Sequence, residues 1–295
     1  MQIRHANSAP TVVGYQNVDL VGTKAMPIGA MIAKIGEDGK WRLGDIKPAE
    51  ETLSYKNDYL MEINPANGTV LRRYCYLDAY TLNKTFAKWS AADKENAVGW
   101  WDWNTATDSK TGFSPMGPRS AVKVDDERFD ASQGFDTTFA SAKAVLVFSG
   151  EVPAGGDTFD YTDMKAFPII NYLPRKITLG ELKPAEETLS YKNDYLMKIN
   201  PENGTVLARY CYLDAYTLNK TFAKWSAEDK ANAVGWWDWN SVTDSKTGFS
   251  PMGPRSAVKV DDVEIEPGEG FDATFASAKA KITFPKAIPD PAPAE

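Results

Sequence analysis

The sequence predicts an all-β chain of two tandem, homologous antiparallel β-sandwich (or barrel-like) domains, each with one short helix. Three observations carry this. Residues 47–126 recur without a gap as residues 183–262, a constant offset of 136 (183 − 47), so one fold is made twice. Within each copy the apolar residues mostly alternate, which is the period of a half-buried strand. Gly, Pro and Asn separate the alternating runs into seven or eight short segments per copy, the pattern of a sandwich or barrel. Seven positions differ between the copies: Glu62/Lys198, Ala66/Glu202, Arg72/Ala208, Ala92/Glu228, Glu95/Ala231, Thr105/Ser241 and Ala106/Val242. Five of the seven gain, lose or exchange a charge, so the variable positions are expected to be solvated.

In chain order, residues 1–10 form a polar N-terminal arm, residues 11–150 the first domain, residues 151–285 the second, and residues 286–295 a Pro-rich tail expected to be extended or disordered. The strand candidates of the first copy are residues 18–20 and 26–33, the run TLSYKNDYLMEI, the run TVLRRYCYLDAY, and residues 100–104, 121–124, 135–140 and 144–148. Between the two runs stands Asn64-Pro65-Ala66-Asn67-Gly68, and Asn-Gly between β-rich runs is the strongest short-range hairpin signal. The helix is placed in AADKENAV, with Ser90 and Asp93 at its first turn and Gly99 as a left-handed C-terminal residue. Ser226, Asp229 and Gly235 repeat that arrangement. The junction SGEVPAGGD is short, which predicts that the two domains touch.

Composition excludes several classes of function. A net charge of −7 without a Lys/Arg cluster argues against a nucleic-acid partner. No apolar run approaches the roughly 20 residues of a membrane helix. His5 is the single histidine and lies outside both copies, which removes His-dependent triads and multi-His metal sites from either domain. Cys75 and Cys211 occupy equivalent positions, so neither has a partner within its own domain; a buried thiol is expected at each, with a disulfide between copies or between chains, which needs an oxidising compartment, as the alternative.

The candidate chemistry is sparse. In Gly99-Trp100-Trp101-Asp102-Trp103-Asn104 and its twin Gly235-Trp236-Trp237-Asp238-Trp239-Asn240, alternation puts Trp101 and Trp103 on one face and Trp100 and Asp102 on the other. One face must be core, and Trp101 and Trp237 are expected there. If the other is exposed, Trp100 with Asp102, and Trp236 with Asp238, resemble a platform on which a sugar ring stacks. Asp125, Asp126 and Asp130, and Asp261, Asp262, Glu264 and Glu266, lack regular Ca²⁺-loop spacing and read as solvated acidic loops. Asp58 and Asp78 are a carboxylate pair of the kind any acidic β-protein offers. There is no phosphate loop and no nucleophile elbow. The reading is therefore of a protein that is not an enzyme, with no catalytic residues, no metal site and no cofactor.

The order of the hairpin Asn-Gly, the Tyr-rich strand, the Trp-Asp strand, Pro267-Gly268-Glu269-Gly270-Phe271, a final Ala-x-x-x-Phe strand and Gly150-Glu151-Val152 resembles a family of repetitive, secreted or surface-associated bacterial β-sandwich proteins of unassigned function. Copy one departs from it at Ala131-Ser132-Gln133-Gly134-Phe135. The resemblance implies an extracellular or cell-surface location and a structural role, with no catalytic residues to transfer, although MQIRHANSAP lacks the apolar core of a signal peptide. The expected function is a structural subunit of a filament, sheath or surface layer that associates with copies of itself. A tandem carbohydrate-binding module and a virion decoration or tail protein are the alternatives. Thr11, Val12 and Val13 are the expected donors of a strand to a neighbouring subunit.

Overall fold

A computed structural model of the chain describes residues 13–20, 26–29, 40–49, 51–103, 122–130, 133–141, 144–238, 258–277 and 279–288. It is mostly β, and every strand pair among the described residues is antiparallel. The first half contains β1 (Val13–Asp19), β2 (Lys40–Arg42), β3 (Lys47–Pro48), β4 (Asp58–Ile63), β5 (Val70–Leu77), α1 (Ala79–Thr85), α2 (Ala91–Ala97), β6 (Gly99–Asp102), β7 (Val122–Lys123), β8 (Arg128–Asp130), β9 (Asp136–Phe139) and β10 (Val145–Glu151). The second half contains β11 (Thr158–Asp160), β12 (Ala166–Ile170), β13 (Ile177–Thr178), β14 (Lys183–Pro184), β15 (Asp194–Ile199), β16 (Val206–Leu213), α3 (Ala215–Thr221), α4 (Ala227–Ala233), β17 (Gly235–Asp238), β18 (Val258–Lys259), β19 (Glu264–Ile265), β20 (Gly270–Phe275) and β21 (Lys281–Thr283).

The two halves repeat one connectivity. The first has the sheet β7-β6-β5-β4-β9 with the small sheets β1-β10-β3 and β2-β8. The second has β18-β17-β16-β15-β20 extended by β12, with β11-β21-β14 and β13-β19. Register is preserved as well: Leu60 faces Tyr74 as Leu196 faces Tyr210, and both hairpins shift register before the final Ile63 or Ile199. The Asn-Gly turn forms as the sequence predicts, with Gly68 at φ 73° and its N–H donating to Asn64 O at 2.8 Å.

Each half has two helices where the sequence predicts one. The run RYCYLDAY stops being a strand at Leu77, because Asp78 turns the chain and its carboxylate accepts from Thr81 N at 2.6 Å, capping α1. Ser90 caps α2 as expected. Gly99, however, is not a helix cap, since Val98 closes α2 in extended geometry. At Gly99 φ is 139°, and the Asp125 carboxylate occupies the space a Cβ would need. Glycine is required there by a close approach.

The helices create a second core. Trp41, Leu60, Tyr74, Trp100, Phe129 and Phe135 belong to the main cluster of the first half. On the opposite face of the same sheet, Cys75, Leu77 and Trp103 join Leu82 of α1 and Ala97 of α2, with Trp101 packed against them. The central sheet is thus covered on both faces, by small sheets on one side and by the helix pair on the other. Cys75 and Cys211 are free and buried, and burial raises both thiols. The segment after Phe284, expected to be extended or disordered, pairs with the domain junction at its start: Gly155 bridges to Lys286, and Ala287 N donates to Ala154 O at 2.8 Å. Residues 289–295 lie outside the described residues.

Candidate functional site

The Trp-Asp strands do not offer a stacking platform. Trp100 and Trp236 are each 1% exposed, with the indole N–H of Trp100 donating to Ile46 O at 2.7 Å and that of Trp236 to Leu182 O at 3.0 Å. Tyr76 packs edge-on to Trp100 at 5.2 Å. The reason is that both faces of the strand are core, which alternation alone does not reveal. Trp101 and Trp237, expected in the core, are half-buried and pack against the second core beside the helix pair, donating to Ala97 O and Ala233 O. Asp102 and Asp238 are half-buried at the sheet end, and burial raises both carboxyls. Arg72 stands 3.9 Å from Asp102 and 2.9 Å from Glu127; copy two has Ala208 in its place. Arg72 and Glu62 are thus half-buried, contrary to the expectation that every variable position is solvated, whereas positions 66, 92 and 95 are exposed. Thr105, Ala106, Ser241 and Val242 lie outside the described residues.

The carboxylates singled out in the sequence are engaged in structure. Asp58 is 1% exposed and accepts from Ser54 N at 2.6 Å, Ala140 N at 2.7 Å, Ser141 N at 3.0 Å and the Ser141 hydroxyl. Asp78 holds Thr81 N and also Glu51 N at 3.0 Å, fixing Glu51 in a left-handed conformation at φ 63°. Asp125 accepts from Trp100 N at 2.7 Å and pairs with Lys123 at 3.2 Å. Asp126 is near Arg42, Asp130 pairs with Lys40, and Lys176 bridges Glu264 and Glu266 at 2.8 Å each. Among the described residues no group of three or more His, Cys, Asp and Glu is placed to hold a metal ion. No helix among them is long and apolar enough to cross a membrane.

Val13, expected to reach a neighbouring subunit, opens β1 and pairs with Glu151 of its own chain, followed by Gly14 with Gly150. In the order β1-β10-β3 this strand stands at the edge of its sheet, paired on one side by β10. Thr11, Val12 and His5 lie outside the described residues.

The feature that sequence reasoning missed is the seam where the two halves meet. Gln133 forms an antiparallel bridge with Ile169, and Gly134 N donates to Pro168 O at 3.4 Å. The tip of the first hairpin joins in, with Pro65 O accepting from Lys165 N at 2.6 Å and Ala166 N at 3.1 Å. Asp136 and Asp272, equivalent residues of the two copies, interact directly with each other, and each has an Oδ1 that is buried and receives no protein donor. Gly29 lies against Ile170, which takes the same place in copy two. Contact between equivalent positions at Asp136–Asp272 and Gly29–Ile170 is what a pseudo-two-fold relation gives near its axis, whereas the backbone bonds of Gln133, Gly134 and Pro65 join non-equivalent positions. Beside it a cavity of about 300 Å³ is lined by Ile63, Pro65 and Gln133 from one half and Phe159, Tyr161 and Phe167 from the other.

Comparison with protein-family models, with curated proteins and with solved structures finds no match.

Proposed function

We propose that this chain is a non-enzymatic structural protein built of two tandem antiparallel β-sandwich domains, residues 11–150 and 151–285, and that it associates with copies of itself in an extracellular or cell-surface assembly, a filament, sheath or surface layer. The observation that carries this reading is a surface presented twice. Val70, Leu71, Tyr80 and Val122 are exposed large apolar residues of the first half, and Val206, Leu207, Tyr216 and Val258 expose the same positions of the second. Single exposed apolar residues are ordinary. A matched set on one chain lets each subunit make two equivalent contacts, and the second contact is strengthened by the first. The seam is occupied within the chain, so contacts between chains fall to these other surfaces. Further support comes from the buried carboxylates Asp58, Asp78, Asp194 and Asp214, which hold backbone N–H groups rather than facing a cleft.

Electron microscopy of the purified chain is expected to show ordered polymers. The double variant Leu71→Lys/Leu207→Lys is expected to abolish them while circular dichroism stays unchanged, because both side chains are more than half exposed. Monodisperse particles from the native chain at high concentration, or polymers persisting in the double variant, would sink the reading.

A second reading rests on the seam cavity. The carbohydrate-binding alternative loses Trp100 and Trp236 as platforms, but Phe159, Tyr161 and Phe167 beside Gln133 combine aromatic surface with an amide able to bond hydroxyls. In affinity gel electrophoresis, retardation by an embedded polysaccharide that disappears in Phe159→Ala would favour it. Equal mobility with and without polysaccharide would remove it.

A further inference from the structure

Asp136 and Asp272 sit on outward faces of their own halves. In β9 and β20 the residues facing the main core are Thr137 and Phe139, and Phe271, Ala273 and Phe275, so alternation turns Asp136 and Asp272 away from that core. They are nevertheless largely buried, because each faces the other across the seam. Two ionised carboxylates in such a place repel without a screening solvent, and the stable arrangement shares a proton.

Among the described residues no cation is placed against the pair. Asp136 is opposite Met61 of β4, and Asp272 is opposite Pro168 of β12 and Met197 of β15. Strand β12, AFPII, carries no charge, and neither do Met26, Pro27, Ile28 and Gly29 on the other side. On the face that carries Asp136 and Asp272 the nearest charged positions of the described strands are Arg73 and Arg209, one strand further out, opposite Met61 and Met197. Glu62 and Lys198, beside those methionines on β4 and β15, alternate to the other face, where Glu62 accepts from the Tyr74 hydroxyl and Lys198 stands 3.8 Å from Glu269. Among the described residues the interactions that shift each acid are burial and the other acid.

We propose that Asp136 and Asp272 form a proton-sharing latch that holds the two repeats together and releases them in alkaline solution. In the closed state the protonated Asp136 carboxyl donates its O–H to the Asp272 carboxylate. Loss of that one proton to hydroxide leaves two carboxylates, and the seam opens to hydrate them. Burial and the neighbouring Asp272 push the Asp136 carboxyl up to about 8, while burial also raises Asp272. Both acids bind protons more tightly closed than open, so closing takes up a proton. The latch is therefore strongest below the ordinary aspartate range near pH 4. It weakens as pH rises and has lost its contribution above about pH 8.

Small-angle scattering of the full chain across pH 5 to 9.5, with far-UV circular dichroism in parallel, tests this. Below pH 7 the radius of gyration is expected near the roughly 19 Å of a compact chain of this length. It is expected to rise by several Å with a midpoint near pH 8, at unchanged ellipticity. Asp136→Asn keeps a donor to Asp272 and removes the titration, so that variant is expected to stay compact at pH 9.5; Asp272→Asn serves the same purpose from the other side. A native chain whose radius is constant across the range, one that loses its ellipticity together with the expansion, or an Asn variant that expands as the native chain does, would overturn the latch.

Discussion

Replacing Trp100 with Ala is expected to destabilise the first repeat by about 3–5 kcal/mol, the range for removing a large aromatic side chain from a core. The side chain is almost entirely excluded from solvent and touches the Tyr76 ring edge-on. Its removal also leaves Ile46 O, which accepts the indole N–H at 2.7 Å, without that donor inside the core. At roughly 2–4 °C per kcal/mol for a unit of this size, the thermal midpoint of the first repeat falls by about 10 °C. Trp236→Ala should do the same to the second repeat. Differential scanning calorimetry of both variants checks it, and a midpoint moved by less than about 2 °C would show that Trp100 is not the keystone described here.

Asp58→Ala is the second large effect. The carboxylate gathers Ser54 N, Ala140 N, Ser141 N and the Ser141 hydroxyl, so it ties the entry of β4 to the turn between β9 and β10 across 83 residues of sequence. Alanine leaves these donors stranded beside a small void, and hydrogen bonds to a charged group contribute about 1.5–3 kcal/mol each net of exchange with water, part of which returns when water enters the void. A net loss of about 3 kcal/mol is expected. Asp58→Asn preserves the shape but presents an N–H₂ group where one N–H already points, and should fall between alanine and the native residue. Urea denaturation monitored by Trp fluorescence distinguishes the three. Equal midpoints for native and alanine proteins would mean that solvent replaces the carboxylate without cost.

Much of the fold is legible along the chain. The hairpin is local: Asn64, Asn67 and Gly68 bond to one another's backbone within six residues, so any context that permits the turn produces it. The Ser90 cap is likewise contained within its own first turn. Helix α1 is different. AYTLNKT follows a strand rich in Tyr and is itself weakly patterned, and only the buried placement of Asp78, held by Glu51 N as well as Thr81 N, selects the helix. Trp100 and Trp101 show the same limit. Alternation separates them onto two faces but cannot say that helices cover one face and small sheets the other.

The amino-acid sequence by itself determined that one β-rich unit is made twice, where its hairpin and Ser-capped helix lie, and that its cysteines have no partner within a unit, because each of these follows from local geometry or from identity between copies. Only the tertiary structure decided that both faces of the Trp strand are packed, that the carboxylates at 58, 78 and 125 hold backbone N–H groups, and that Asp136 meets Asp272. The physical reason is that burial of an outward-facing residue depends on what the rest of the chain brings against it. In β9 and β20 the one aspartate stands on the outward side of the alternation and looks solvated until the other repeat closes over it.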